Sequence, residues 1–142
     1  MNKLQIFKNE EFGEIRNIRI VDDNPYLGFF YALEYGDFVK IGSTKNPYER
    51  LRALRKNAEY NSLSIGRIAI SPAHTNYREN EKELHKLFGN SRNGNTELFK
   101  ISLDDFISRY SDSIKYKDES EELEKESETF FNELRNFVLG GI

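Results

Sequence analysis

The sequence predicts an α+β fold in which a small antiparallel sheet is flanked by helices, with an N-terminal β-hairpin and a C-terminal helical extension. Short apolar runs separated by turn residues fill the first third of the chain, as at residues 29–34 and 38–41 on either side of Gly36-Asp37. Segments with apolar residues at helical spacing dominate after Asn46. A chain of 142 residues with 37% hydrophobic residues can bury its own core, which excludes a globally disordered protein.

The N-terminal segment, residues 1–24, is predicted to form the hairpin. Residues 4–7 and 14–21 each resemble a short strand, and residues 9–13 suit the turn between them. Asp22-Asp23-Asn24-Pro25 is typical of a loop, because proline disfavours helix in the residue before it. This loop separates the hairpin from a predicted central domain, residues 25–116.

The helices of the central domain begin at recognisable caps. Asn46 can cap a helix whose first position is Pro47, and Ser102 can cap another. Between these helices the sequence predicts a strand at 63–70, a helix at 77–88 and a short strand at 98–101.

The C-terminal segment, residues 117–142, is predicted to be an acidic helix reached through a charged linker. Residues 117–128 are charge-dense, and residues 130–138 carry a strong apolar face. That face would pack on the domain or on another copy of the chain, so a homo-oligomer is one expectation.

Charge is distributed unevenly along the chain. Residues 40–100 hold 12 Lys or Arg against 6 Asp or Glu, whereas residues 101–142 hold 5 against 11. The basic middle suits an anionic partner such as DNA, with a solvated helix face as the alternative interpretation. The absence of cysteine excludes disulfides, thiolate zinc sites and cysteine nucleophiles. The sequence offers no transmembrane run and its N-terminus is too charged for a signal peptide, so we expect a cytoplasmic protein without a membrane partner.

The hairpin around Gly36-Asp37 brings chemistry-bearing side chains together. Tyr31 and Lys40 can be neighbours on one face of an antiparallel pair. Arg50 lies in the first full turn of the next helix and can point back, and Glu81 can add a carboxylate. A carboxylate can hold Mg²⁺, an arginine can stabilise charge on phosphate oxygens, and a tyrosine can act as base or nucleophile. These residue types suggest a site that cleaves phosphodiesters.

Several motifs give this region a family resemblance. Phe29-Phe30-Tyr31, Lys40-Ile41-Gly42 and Arg50 resemble the GIY-YIG nuclease superfamily. The stretches VKIGSTKNPYERLRAL, EKELHKLF and TELF look like its T5orf172/Mug113-type branch, so the resemblance spans residues 29–102. It implies a small antiparallel sheet with flanking helices, and cleavage of DNA that depends on Mg²⁺ or Mn²⁺.

The resemblance also implies roles for individual residues. Tyr31, Lys40, Arg50 and Glu81 would be catalytic, with Glu81 as the metal ligand. Substrate contacts would come from Gly42, Ser43, Thr44, Lys45, Tyr48 and His85. Glu97 falls where this branch has a Gly-Glu-Trp-Phe-like turn. Because Lys40 stands where the second motif has a tyrosine, Lys40 or Tyr48 would have to replace that tyrosine in proton transfer.

Each of these side chains also has a structural interpretation. Tyr31 suits a core aromatic, and Arg50 can simply pair with a neighbouring glutamate. Glu81 can be a solvated charge, and His85, on an apolar helix face, can be a hydrogen-bonded core histidine.

The N-terminal residues LQIFKNEEFGEIRNIRI are similar to the opening strands of the Bro N-terminal domain of phage antirepressors. This resemblance implies a phage-related protein acting in a bacterial host cell. Two functions follow as hypotheses. One is a metal-dependent endonuclease, and the other is a catalytically degenerate scaffold that binds DNA or a nucleotide-like ligand as a phage regulator or counter-defence protein.

Overall fold

A computed structural model of the protein describes residues 4–18 and 24–140. In these two segments the strands are β1 (Gln5–Phe7), β2 (Phe29–Tyr35), β3 (Phe38–Thr44), β4 (Ile65–Ile70) and β5 (Leu98–Phe99). The α-helices are α1 (Pro47–Tyr60), α2 (Tyr77–Leu87), α3 (Leu103–Arg109) and α4 (Ser120–Gly140). The strands form one antiparallel sheet with the helices around it, so the predicted α+β class is confirmed.

The sheet has the strand order β1-β4-β2-β3-β5, which places the β2–β3 hairpin at its centre. Gly36 has a φ of +60° in the hairpin turn, a conformation that glycine adopts without steric cost. The register pairs Tyr31 with Gly42 and Leu33 with Lys40. Since directly paired residues project to the same face, Tyr31 and Lys40 share a face as predicted, but Gly42 is the residue opposite Tyr31.

The core has one layer on each face of the sheet. One layer, which includes Phe29, Tyr31 and Leu33 of β2, packs against Leu51 and Leu54 of α1. The other layer contains side chains from β2 and β3 together with α2 and α3; its buried members are Phe30, Ala32, Val39, Ile41, Ala69, Leu84, Phe88, Phe99, Leu103 and Phe106. The strongly apolar β2 is therefore buried on both faces.

The structure does not contain the predicted N-terminal hairpin in residues 4–18. β1 is present, but residues 9–17 form a 3₁₀-helix, so the predicted second strand is wrong over residues 14–18, and residues 19–21 of that prediction lie outside the described residues. Phe12 and Ile15, three apart, fall on one side of a 3₁₀-helix and are buried in the α1 layer. β1 pairs instead with β4 at the edge of the main sheet.

The helix caps occur where the sequence predicts them. The Asn46 side chain accepts a hydrogen bond from the Glu49 amide at 3.2 Å, and the Ser102 hydroxyl accepts one from the Asp105 amide at 3.0 Å. The charged linker is shorter than predicted, because α4 begins at Ser120 and runs through the Glu-rich segment. Acidic residues in its first turn favour the helix dipole. Across residues 4–18 and 24–140, no helix combines the length and the apolar character needed to span a bilayer.

Candidate active site

The candidate site begins where Tyr31 lies across Gly42. A Cβ atom at position 42 would overlap the Tyr31 hydroxyl and would lie only 2.6 Å from the ring carbon Cζ. The strand-to-strand pairing therefore requires glycine here, because any side chain would displace the tyrosine. The Tyr31 side chain is buried, and its hydroxyl lies over Gly42. Gly42 belongs to the open end of β3, which is the part of the strand after Lys40 that does not pair with β5.

Arg50 reaches this tyrosine from the first turn of α1. The Arg50 amide donates to the Asn46 carbonyl at 3.1 Å, so the helix start fixes the position of the arginine backbone. Burial raises the pKa of Tyr31 above its usual value, and the neighbouring Arg50 guanidinium opposes that rise. At neutral pH the tyrosine is therefore a neutral phenol beside a cation.

Glu97 is the residue immediately before β5, and it lies beside β3. The Ile41 amide donates to the Glu97 carbonyl at 3.0 Å, which anchors the residue just before β5 to the edge of β3. The Glu97 Oε2 atom lies 3.0 Å from the position that a Cβ at Gly42 would take. On its other side, Glu97 Oε1 lies 3.9 Å from the Lys40 ammonium. Glu97 thus lies between the second motif and the rest of the cluster.

Glu81 and His85 reach the same edge from α2, one helical turn apart. Ser43 donates a short hydrogen bond to Glu81. His85 Nε2 lies 3.0 Å from the Ile41 carbonyl oxygen and 3.5 Å from Glu81 Oε2. Because a carbonyl only accepts, His85 Nε2 carries the proton in this arrangement. His85 is therefore a hydrogen-bonded and largely buried histidine, as in its structural interpretation.

A divalent cation fits the chemistry of these donors. Glu81, His85 and Glu97 each offer a ligand atom within 4.8 Å of the others. Burial raises the pKa of Glu81, and the Glu97 carboxylate raises it further, against the opposing effect of the Ser43 hydrogen bond. Two carboxylates that crowd each other in a half-buried place are relieved by a shared cation. Carboxylate oxygens suit Mg²⁺ and Mn²⁺, so Glu81 and Glu97 are the ligands that fit best; His85, whose Nε2–H donates to the Ile41 carbonyl, would need its other tautomer to bind an ion through Nε2.

Comparison with known proteins identifies the family of the chain. The family model of the T5orf172 domain matches residues 28–130. The chain belongs to the T5orf172 domain family. The resemblance to the GIY-YIG superfamily is consistent with that membership. Neither the curated proteins nor the solved structures compared with the chain gave a match. Residues 1–27 lie outside the matched range, so the Bro-like interpretation of the N-terminus stays a prediction.

The T5orf172 domain brings most of the predicted site residues together. Those that meet around the end of β3 are Tyr31, Lys40, Gly42, Ser43, Arg50, Glu81 and His85. Thr44 instead accepts a hydrogen bond from the Asn46 amide at 3.1 Å, and Lys45 is exposed in the turn before α1.

Tyr48 faces the N-terminal segment rather than the cluster. Its hydroxyl accepts a hydrogen bond from Arg16 at 2.7 Å, and its ring packs beside Phe12 with a centroid distance of 5.7 Å. Of the two proposed replacements for the missing tyrosine, Lys40 is therefore the one near the cluster. Glu97 had no predicted role, although the TELF stretch that contains it was part of the family resemblance.

Proposed function

We propose that this T5orf172 domain is a DNA endonuclease of the GIY-YIG type that depends on a divalent metal ion. The observation that carries the proposal is the convergence of Glu81 and Glu97 with Tyr31 and Arg50 around the open end of β3. Cleavage of a phosphodiester needs a cation on the phosphate oxygens and an oriented nucleophile; Arg50 supplies such a cation, and the Tyr31 hydroxyl can orient an attacking water.

Glu81 and Glu97 are the residues that would hold Mg²⁺ or Mn²⁺. Such an ion supplies Lewis-acid polarisation of the phosphate. Ser43 donates to Glu81 and Lys40 pairs with Glu97, so each carboxylate is oriented by a neighbour from β3. Neighbours that hydrogen-bond or ion-pair with a metal-binding carboxylate fix its orientation towards the metal.

Arg50 and Tyr31 would act on the substrate itself. Arg50, exposed at the start of α1, can donate to phosphate oxygens and stabilise the charge that develops on them. Because burial raises the pKa of Tyr31, the phenol is neutral at neutral pH. We therefore assign Tyr31 the orientation of the attacking water; the proton that this water loses would pass to bulk solvent, from which the leaving oxygen would take one.

Lys40 would work through Glu97. Its side chain is 18% exposed and its ammonium faces the Glu97 carboxylate at 3.9 Å. The position that carries a tyrosine in the second GIY-YIG motif thus carries a cation that holds a carboxylate in place. The same ion pair favours the alternative function, a non-catalytic binder of DNA or a nucleotide-like ligand, because a built-in cation partly replaces the metal.

Nicking of supercoiled plasmid DNA tests the proposal. The full chain is incubated with Mg²⁺ or Mn²⁺, and the wild type is compared with Glu81→Gln and Arg50→Ala. We expect metal-dependent nicking in the wild type and a loss of about 100-fold or more in each variant, the usual effect of removing one charge-stabilising group. EDTA should abolish the wild-type reaction.

Two control variants match these changes in charge and helix. Glu83→Gln lies on α2 at an exposed position paired with Lys86, and Arg52→Ala lies on the exposed side of α1. Both should nick DNA at rates close to the wild type. If the wild type binds DNA but leaves it intact with either metal, the nuclease proposal fails and the binding function is favoured.

A further inference from the structure

The second half of α4 exposes a dense set of large apolar side chains. Its exposed members are Phe130, Phe131, Leu134, Phe137, Val138 and Leu139, with exposed fractions from 47% to 79%. The first half of the helix is attached to the domain, since Asn24 donates to Ser120 at 2.9 Å and Tyr26 to Glu124 at 3.1 Å. The apolar half therefore projects beyond the attachment. An apolar surface of this density is typical of an interaction site.

The spacing of these residues is that of a helix packed on another helix. Leu123, Ser127, Phe130, Leu134 and Phe137 follow one another at steps of four, three, four and three. This alternation keeps one narrow seam of side chains facing a neighbouring helix. Phe131 and Val138 widen the seam on one side. We call this surface the α4 seam; its members are Phe130, Phe131, Leu134, Phe137 and Val138.

Among the residues that the structure describes, the other α-helices do not offer a matching seam. Each α-helix before α4 buries its apolar face in the domain core; the residues concerned are Leu51, Leu54 and Ala58 of α1, Leu84 of α2, and Leu103 and Phe106 of α3. A second α4, in another copy of the chain, carries the same seam and the same length. In the described part of the chain, α4 is the α-helix whose apolar side chains are exposed, so a second α4 can pack against the first.

Charge argues against phosphate-rich partners. α4 carries six glutamates against Lys125 and Arg135, so phosphate-rich partners such as DNA or an anionic membrane surface would be repelled. A second copy avoids this repulsion if the two helices run antiparallel. Their apolar halves then overlap while the Glu-rich halves lie at opposite ends.

We propose that the protein forms a homodimer in which the α4 seams pack antiparallel, with Leu134 of each copy at the centre. In this register Phe130 lies near Val138 of the second copy, because the two positions are equally far from Leu134. At about 100 Å² for each exposed seam side chain, the two copies bury roughly 1,000 Å² in all, the size at which specific interfaces begin.

The mass in solution tests the dimer. By size-exclusion chromatography with light scattering, the wild type should elute at twice its chain mass of 16.7 kDa. Phe130→Glu with Leu134→Glu should give the single-chain mass. Asn132→Glu, on the opposite side of α4, is the matched control and should stay dimeric. A wild type that is monomeric at about 100 μM overturns the proposal, as does a dimer that persists in the double seam variant.

Cross-linking tests the orientation, since the chain has no native cysteine. Leu134→Cys should form a disulfide with its copy under mild oxidation, because both residues lie at the symmetry axis. Ser127→Cys should not, because antiparallel packing separates the two copies of residue 127. Efficient cross-linking through Ser127→Cys would overturn the antiparallel arrangement. Neither measurement depends on nuclease activity.

Discussion

Two charged clusters on the same sheet are built in opposite ways. In the first, Arg67 on β4 donates to both carboxylate oxygens of Glu34 on β2, at 3.2 and 3.1 Å, and to Asp104 at 3.0 Å. In the second, Glu81 and Glu97 approach each other at the open end of β3. In the first cluster one arginine donates hydrogen bonds to both carboxylates, whereas in the second Glu81 receives its hydrogen bond from the neutral Ser43 hydroxyl and lies close to the Glu97 carboxylate.

The pKa shifts express this difference. The pKa of Arg67 is raised by hydrogen bonds to Glu34 and Asp104, so its charged form is favoured in the fold. The pKa of Glu81 is also raised, but by burial and by Glu97, so its charged form is disfavoured. A group held in an unfavourable charge state by its surroundings is typical of a functional site, and a matched ion pair is typical of a structural one.

The largest effect should come from Gly42→Ala. The added methyl group would overlap the Tyr31 hydroxyl, so the buried ring must move and the cluster must spread. We expect DNA nicking to be lost and the free energy of unfolding to fall by about 1–3 kcal/mol, the usual cost of overpacking. Urea denaturation and the plasmid assay measure the two effects.

Gly89→Ala is the matched control for that change. A Cβ at Gly89 meets no other atom within 4 Å, so both readouts should stay close to the wild type. A Gly42→Ala variant with unchanged stability would contradict the close approach of Tyr31 to β3.

The next largest effect should be the difference in stability between a glutamate-to-glutamine change in the first cluster and the same change in the second. Glu34→Gln removes the charge that Arg67 faces and should lower the free energy of unfolding by about 1–3 kcal/mol, as for hydrogen bonds to charged groups. Glu81→Gln removes one of two crowded carboxylates and should leave that free energy unchanged or higher in metal-free buffer. Urea denaturation of both variants at pH 7 gives the comparison. A larger loss in Glu81→Gln than in Glu34→Gln would reverse the assignment of the clusters.

A smaller effect should be the loss of stability at low pH that His74 causes. Burial lowers the pKa of His74, whose Nδ1 lies 2.8 Å from the Pro72 carbonyl, and whose Nε2 has no hydrogen-bond partner in the described part of the chain. A depressed histidine pKa means that the unfolded chain binds the proton first. Stability should therefore be fully present above about pH 6.5 and decline as the pH falls below it.

His74→Gln should reduce this decline, which denaturant titrations at pH 7.5 and pH 5.5 can measure. An equal decline in the wild type and in His74→Gln would contradict the assignment to His74.

Local signals made much of the fold predictable from the sequence. Gly36-Asp37 between two apolar runs predicted the central hairpin, and the Asn46-Pro47 pair predicted the start of α1; both depend on neighbours within a few residues. The predicted second N-terminal strand was wrong because Phe12 and Ile15 have a spacing that suits a 3₁₀-helix, which packing against α1 selects.

The site was predictable only in part, for a physical reason. Tyr31, Gly42 and Arg50 lie within 20 residues of one another, so the hairpin and helix signals already bring them together. Glu97 joins through its backbone hydrogen bond with Ile41 and its ion pair with Lys40, and both contacts depend on the long-range pairing of β3 with β5. Its position beside Lys40 and Glu81 became visible only in the assembled sheet.

Direct binding of Mn²⁺ tests the central claim that the crowded carboxylates form a cation site. Calorimetric titration of the metal-free full chain should give one equivalent bound in the wild type, with affinity reduced at least about tenfold in Glu81→Gln and in Glu97→Gln, as for lost metal-site partners. Glu34→Gln should bind as the wild type does. Binding that is absent from the wild type at millimolar Mn²⁺, or equal in all four proteins, would contradict the account.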